Sequence, residues 1–281
     1  MVSAKVRLVK PVALAIVPTQ NAISTPRPAD AIEVLEEAAR KGRAGIGGVM
    51  ATVVARHGSA PATPGQKLYL ATDGTCIGTV GGGAIEREVI GALEQASRGE
   101  PVFETKSFKL GPELGMCCGG SVDVAIETLT ALVPCLVIGG GHVATEVAPL
   151  LARVGFAVTV VDERDAWGQE GRIAGVSTVV GDFDDVGKSF PQRAAVLVMT
   201  HDHALDQRAI EWALKRGFAY VGGVGSRAKA KRTRDRLKAK GFGDADIERV
   251  RMPIGVHVGA RLPSEIAVAI AAEMVSWRRT G

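Results

Sequence analysis

Residues 135–144 read Cys-Leu-Val-Ile-Gly-Gly-Gly-His-Val-Ala. An apolar strand runs into three glycines, and a helix-forming stretch begins at once. Gly139, Gly141 and Ala144 fall in the spacing Gly-x-Gly-x-x-Ala. The first glycine permits a tight turn, the second lets backbone approach a diphosphate, and a small third residue lets helix and strand pack closely. Free N–H groups at the helix start, around His142 and Val143, favour an anion. Asp162 closes the next apolar strand, where an acid can accept from a ribose hydroxyl; Arg164 beside it can instead meet a phosphate.

The pattern continues downstream of this motif. Strands are expected at 135–138, 157–161, 177–180, 195–200 and 219–222, with helices at 143–154, 205–216, 226–240 and 264–277. Such alternation means a parallel sheet covered on both faces. Pro149 should kink or interrupt the first of these helices. The fold class is therefore α/β, with a Rossmann-like doubly wound sheet over residues 134–281. Residues 29–130 read differently, as an α+β domain. A helix capped by Asp30 is followed by a strand at 49–56 and a hairpin over 68–80, whose Asp73-Gly74 turn suggests type I′. A helix at 84–97 and strands at 103–110 and 122–129 complete it.

Composition sharpens this reading where glycine is concerned. There are 35 glycines, and 13 of them fall in four clusters at 78–83, 115–120, 139–141 and 222–225. Each cluster sits at a strand end or before a helix, where backbone must turn or approach a ligand. Gly81, Gly82 and Gly83 precede the helix carrying Glu86 and offer N–H groups to an anion; a packing turn is the alternative. Cys117 and Cys118 lie in a glycine loop. That position suits a soft-metal ligand or sulfur relay better than a tetrahedral zinc site. Cys76 and Cys135 read as core residues. His201, Asp202 and His203 follow a strand on the side where ligands of open α/β sheets bind.

The remaining features exclude partners. The net charge is +4 and aromatics are 4 % of the chain, which leaves little for base stacking and argues against nucleic acid. Four cysteines do not make a disulfide framework, so a cytoplasmic, reduced protein is expected. The longest uncharged stretch, 128–145, holds Pro134 and three glycines and reads as loop, strand and loop, not as a membrane span. Residues 1–28 form an extension. Their apolar run at 12–17 is closed by Pro18 and is too short for an export signal. The basic helix from Arg227 to Lys240 reads as a solvated face.

Taken in order, these segments resemble the xanthine dehydrogenase accessory protein family (XdhC/CoxI). The resemblance rests on Arg56-His57-Gly58-Ser59-Ala60-Pro61, Gly65-Gln66-Lys67, the stretch from Gly78 to Glu86, and Cys118-Gly119-Gly120. It continues through Gly139 to Ala144, Val160 to Arg164, Thr200 to His203, Tyr220 to Arg227, Pro253-Ile254-Gly255 and Pro263 to Ala267. The second cysteine, Cys117, and the first 28 residues depart from the family pattern.

The resemblance implies a maturation chaperone without turnover of its own. It would bind the molybdenum cofactor (molybdopterin, with or without a nucleotide), protect it during sulfuration by a cysteine desulfurase, and deliver it to a xanthine dehydrogenase-like molybdenum hydroxylase. A homodimer is the assembly this implies. Cys118 would hold or screen the molybdenum, with Cys117 as second candidate, and Ser59, Gln66 and Lys67 would position the pterin or its phosphate. The crevice at Gly139, Gly141, His142 and Asp162, with Gly225, Ser226 and Arg227, would take a phosphate-bearing tail, NAD(P) or another nucleotide. Two rivals remain: a nicotinamide-dependent oxidoreductase with His201 or His203 as acid-base catalyst, and a metal-dependent hydrolase on the same two histidines.

Overall fold

The computed structural model describes residues 24–109 and 120–280. The chain separates into two compact units that meet in sequence at Leu132 and Val133. Residues 1–23, which hold most of the N-terminal extension, lie outside the described residues, as do Cys117 and Cys118. Among the described residues no helix is long and apolar enough to cross a membrane.

The first unit is an antiparallel sheet between two helices. Helix α1 (Ala31–Arg43) opens on a capping box: the Asp30 carboxylate accepts from the N–H groups of Ile32 and Glu33, and Glu33 reaches back to the N–H of Asp30. Strands β1 (Gly48–His57), β2 (Lys67–Ala71) and β3 (Cys76–Gly78) lead to α2 (Gly83–Arg98). Strands β4 (Phe103–Lys109) and β5 (Ser121–Leu129) follow. The sheet order is β3-β2-β1-β5-β4. Alternation along β1 decides the faces: Val49, Ala51 and Val53 pack under Ile85, Val89 and Leu93 of α2, whereas Met50 turns to Val34 and Ala38 of α1. Ile85, Val89 and Leu93 are wholly buried, each contributing roughly 1.5–3 kcal/mol by burial.

One expectation is corrected here. Type I′ needs positive φ at both central residues. Gly74 has φ +89°, but among the described residues no residue other than glycine has positive φ, so Asp73 does not. The N–H of Ala71 instead donates to Thr75 O at 2.9 Å and that of Gly74 to Ala71 O at 3.0 Å. This is a three-residue loop with glycine in the left-handed position. The Asp73 side chain is drawn away by Lys41 and by the N–H of Thr75.

The second unit is a six-stranded parallel sheet. Its strands are β6 (Val133–Ile138), β7 (Phe156–Asp162), β8 (Ser177–Val180), β9 (Ala195–Val198), β10 (Tyr220–Gly223) and β11 (Val250–Arg251). Their order is β11-β10-β9-β6-β7-β8, so the winding reverses between β6 and β9. This confirms the doubly wound α/β reading. Helices α3 (His142–Arg153) and α9 (Pro263–Thr280) cover one face. Helices α6 (His203–Arg216) and α7 (Arg227–Ala239) cover the other. Short helices α4 (Asp165–Gly168), α5 (Phe183–Gly187) and α8 (Asp244–Glu248) fill the connections. Pro149 lies inside α3 without ending it. A proline eight residues into a helix removes one backbone bond, and Val147, Ala148 and Leu151 bury the surrounding face.

Tyr69 is fully buried, and its hydroxyl finds no hydrogen-bond partner among the described residues. Burial pushes its ionisation far up, so the phenol stays neutral. Tyr69→Phe should therefore leave the protein as stable or raise stability by about 1 kcal/mol, since an unpaired buried hydroxyl is removed. Urea unfolding of the variant checks this, and a loss above that amount would mean that the hydroxyl has a partner.

Candidate functional site

In the first unit, register gathers the candidate loops at one end of the sheet. Pairing sets His57 against Ser121, Lys109 against Ser121, Thr52 against Lys67 and Leu68 against Gly78. The 58–66 loop, the 79–83 turn and the residues flanking 110–119, Lys109 and Gly120, therefore share that end. The loops touch there. A Cβ built on Gly120 would lie 2.7 Å from His57 O and 2.8 Å from Ser59 O. A Cβ on Gly81 would lie 3.0–3.1 Å from Ala62.

Within this cluster the side chains divide into engaged and open. Glu86 is engaged: its carboxylate accepts from the Thr79 hydroxyl at 2.5 Å and the Val80 N–H at 3.2 Å, clasping the glycine turn. Gln66 accepts from the N–H of Thr63 at 2.8 Å, and Lys67 donates to the Thr52 hydroxyl at 3.0 Å. Ser59 is exposed. Helix α2 starts at Gly82 with no side-chain cap. Gly82 and Gly83 have φ +76° and +63°, and open space lies where their Cβ atoms would be. This turn thus offers helix-start N–H groups on an unobstructed side.

A group that the sequence reading missed stands at the same end. His57 Nε2 lies 2.9 Å from Asp123 Oδ2, and Ser107 Oγ donates to Asp123 Oδ1 at 2.5 Å. The Ser107 hydroxyl and His57 hold the Asp123 carboxyl below its ordinary value. The signal was weak, because the three residues sit on three different strands.

In the second unit, the glycine turn is packed from two sides. A Cβ on Gly139 would lie 2.6 Å from Met199 O, and one on Gly140 would run into Trp167 O. Gly141 caps α3 at φ −68°, with nothing within 4 Å of its Cβ position. Only Gly141 is left without a packing reason to be glycine. Trp167 was also missed. Its ring meets His142 edge-on at 5.5 Å, and the guanidinium groups of Arg164 and Arg172 lie over it at 5.1 and 4.5 Å.

Asp162 departs from its expected role. Its carboxylate accepts from the Gly140 N–H at 2.8 Å, from the Arg164 N–H at 3.0 Å, and from Arg164 Nε and Nη2 at 2.8 Å each. Those four bonds use the capacity of a carboxylate. In this arrangement no lone pair remains for a ribose hydroxyl, and Arg164 is held by the carboxylate rather than offered to a phosphate. Burial pushes the Asp162 carboxyl up, but the Arg164 guanidinium and the two N–H groups more than offset this and hold it below the usual aspartate range.

The 200–203 turn is likewise used structurally. The Asp202 carboxylate caps α6 through the N–H groups of Ala204 and Leu205, while His201 and His203 are exposed. Those two N–H groups hold its carboxyl low. Thr200 bonds through its N–H and hydroxyl to Asp206, which is buried and also paired with Lys229. Asp206 and Lys229 escaped the sequence reading. Among the described residues no three His, Cys, Asp or Glu side chains are placed to share a cation. The two histidines proposed for a hydrolase, His201 and His203, thus stand exposed on either side of the Asp202 cap. Ser226 caps α7 through the Lys229 N–H; Gly225 is packed against Lys229 and Met252, and Arg227 is exposed.

A model of the XdhC and CoxI family matches residues 42–108, and a model of the XdhC Rossmann domain matches residues 135–274. The chain belongs to the XdhC family. An Escherichia coli protein, "Uncharacterized protein YqeB", is 30% identical over 251 residues, which are 87% of this chain and 46% of that one. A probable xanthine dehydrogenase subunit of Bacillus subtilis is 31% identical over 148 residues, 51% of this chain and 42% of that one. The chain thus spans less than half the length of these two curated relatives. A solved structure of a xanthine dehydrogenase from Bacillus halodurans superposes with a TM-score of 0.49 at 19% identity, covering 90% of this chain and 96% of that one.

Two measurements test these XdhC sites. Gly140→Ala should cost about 3 kcal/mol because its methyl would meet backbone, whereas Gly141→Ala should leave the melting temperature within a degree or two. Thermal unfolding of both variants checks this; equal effects would refute the distinction. A carboxyl held low in the fold stabilises above its unfolded value and loses that contribution as pH falls through the folded value. Asp162→Asn should therefore be less stable at neutral pH, with a shallower loss of stability below about pH 4, the ordinary aspartate range. Urea midpoints across pH 2–7 would show the reverse if Asp162 were unpaired.

Proposed function

We propose that this protein is an accessory factor for a xanthine dehydrogenase-related molybdenum hydroxylase. It binds the molybdenum cofactor, shields it during sulfuration, and hands it to the client. The family membership and the name of the Bacillus subtilis relative support the client class. The observation that carries the cofactor role is the clustering of loops at one end of the antiparallel sheet. The uncapped start of α2, with open space beside Gly82 and Gly83, suits a phosphate. Ser59 lies exposed on the 58–66 loop, and Gln66 and Lys67 stand where that loop enters β2. The flanks of the segment that carries Cys117 and Cys118 reach the same end.

The chain's own groups then have distinct tasks. Helix-start N–H groups at Gly83 and beyond hold the anionic tail, and Glu86 keeps the turn in shape. Cys118 supplies a thiolate that a soft metal accepts, with Cys117 as the alternative. A cysteine desulfurase is the sulfur donor, and the working assembly is a homodimer. The cargo is substrate here, so no turnover of the chain's own is required.

Cys118→Ser decides the matter. The purified variant should retain less molybdopterin and fail to activate the client hydroxylase, while Cys117→Ser keeps most of both. Pterin content by fluorescence after oxidation and hydroxylase activity are the readouts. Unchanged values in both for Cys118→Ser would remove this cysteine from the mechanism.

A further inference from the structure

A second concavity in the parallel-sheet unit lies apart from the glycine turn and has its own chemistry. It occupies about 560 Å³, within the range of roughly 300–1,000 Å³ usual for small-molecule sites. Its walls are the turn after β10, the segment from Pro253 to Arg261, and the Ile266–Ala269 face of α9. Three basic side chains line it, Arg227, His257 and Arg261, and no carboxylate does. None of the three has an ion-pair partner among the described residues, whereas Arg164, Arg208 and Lys229 in the same unit are each paired with an aspartate.

The walls are fixed by the fold. The Ile254 N–H donates to Gly223 O at 3.0 Å, the Gly255 N–H to Glu273 Oε2 at 2.6 Å and the Val256 N–H to Ala269 O at 3.1 Å. The N–H groups of Arg261 and Leu262 donate to Glu265 at 2.7 and 3.0 Å. Between these anchors the loop presents apolar surface outward: Val256 is 41 % exposed and Val258 64 %. A pinned loop that displays valines beside unpaired cations suits a ligand with an apolar ring and an anionic end. Arg227 adds a further argument. It stands at the first position of α7, a helix with no acid in its first turn, where a positive charge opposes the helix dipole. Its presence there does not serve the helix.

We propose that this concavity binds a small organic phosphate. Its planar ring lies over Val256 and Val258, and its phosphate meets Arg227 and Arg261, with His257 as a further donor. The inference goes beyond the cofactor role proposed for the other unit and does not depend on it; it moves Arg227 from the glycine-turn crevice, where the family resemblance put it, to a concavity that Gly139, Gly141, His142 and Asp162 do not line. Flavin mononucleotide and riboflavin are suitable probes, because they share a ring and differ by the phosphate.

Titration of the full chain, followed by flavin fluorescence, should show the mononucleotide binding at least about tenfold more tightly than riboflavin, as charge-assisted contacts to phosphate require. Inorganic phosphate should compete. Arg227→Ala and Arg261→Ala should each weaken binding about tenfold, Arg227→Lys and Arg261→Lys should keep most of it, and Lys231→Ala, exposed on α7 but outside the concavity, should leave it unchanged. Both arginines are exposed, so thermal unfolding should confirm intact folds. Equal binding of the two flavins, no binding at millimolar concentration, or full binding by both Arg227→Ala and Arg261→Ala would each overturn the proposal.

Discussion

The buried carboxylate of Asp162 sets the ligand-side edge of the parallel sheet. It joins the end of β7 to the turn after β6 through the Gly140 N–H, and it takes the Arg164 guanidinium in a two-toothed grip. A buried charge is tolerable only when it is paired and its lone pairs are satisfied. Here all four bonds come from the chain itself. The consequence reaches outward: Arg164 is steered over the Trp167 ring, Arg172 lies over the same ring, and Arg172 also bonds Gly140 O at 2.8 Å. A turn that could serve a dinucleotide is thereby braced by protein groups, with only Gly141 facing open space.

The antiparallel unit follows another logic. Its register brings five strand termini to one end, where Gly120 and Gly81 let neighbouring backbone segments approach closely. Gly120 against His57 and Ser59, and Gly81 against Ala62, leave no room for a side chain. Polar side chains are then spent on shape, as Glu86 is, or left exposed, as Ser59 is. This division leaves the helix-start N–H groups beside Gly82 and Gly83 on an open side of the turn.

Much of the architecture was legible in local pattern. Helical spacing of Ile85, Val89 and Leu93 predicts the face of α2 that is buried, and Asp30 shows where α1 begins. The strand and helix alternation after Pro134 predicts the doubly wound sheet. The misreadings were also local. Asp73-Gly74 suits type I′ by composition, yet Lys41, 32 positions upstream, takes the Asp73 carboxylate and a three-residue loop results. Pro149 suggested a kink or a break; α3 runs through it without ending, because burial of the surrounding face outweighs one missing hydrogen bond.

The candidate sites divide along the same line. The sequence by itself determined where turns, caps and glycine clusters fall, because backbone conformation is decided by neighbours within a few residues. Tertiary structure alone decided which polar groups are already used. Asp162 is consumed by Gly140 and Arg164, and Asp206 by Thr200 and Lys229, whereas Arg227, His257 and Arg261 line one concavity with no ion-pair partner among the described residues. Hydrogen bonds and charges are satisfied through space, so the identity of a residue does not reveal whether its capacity is free.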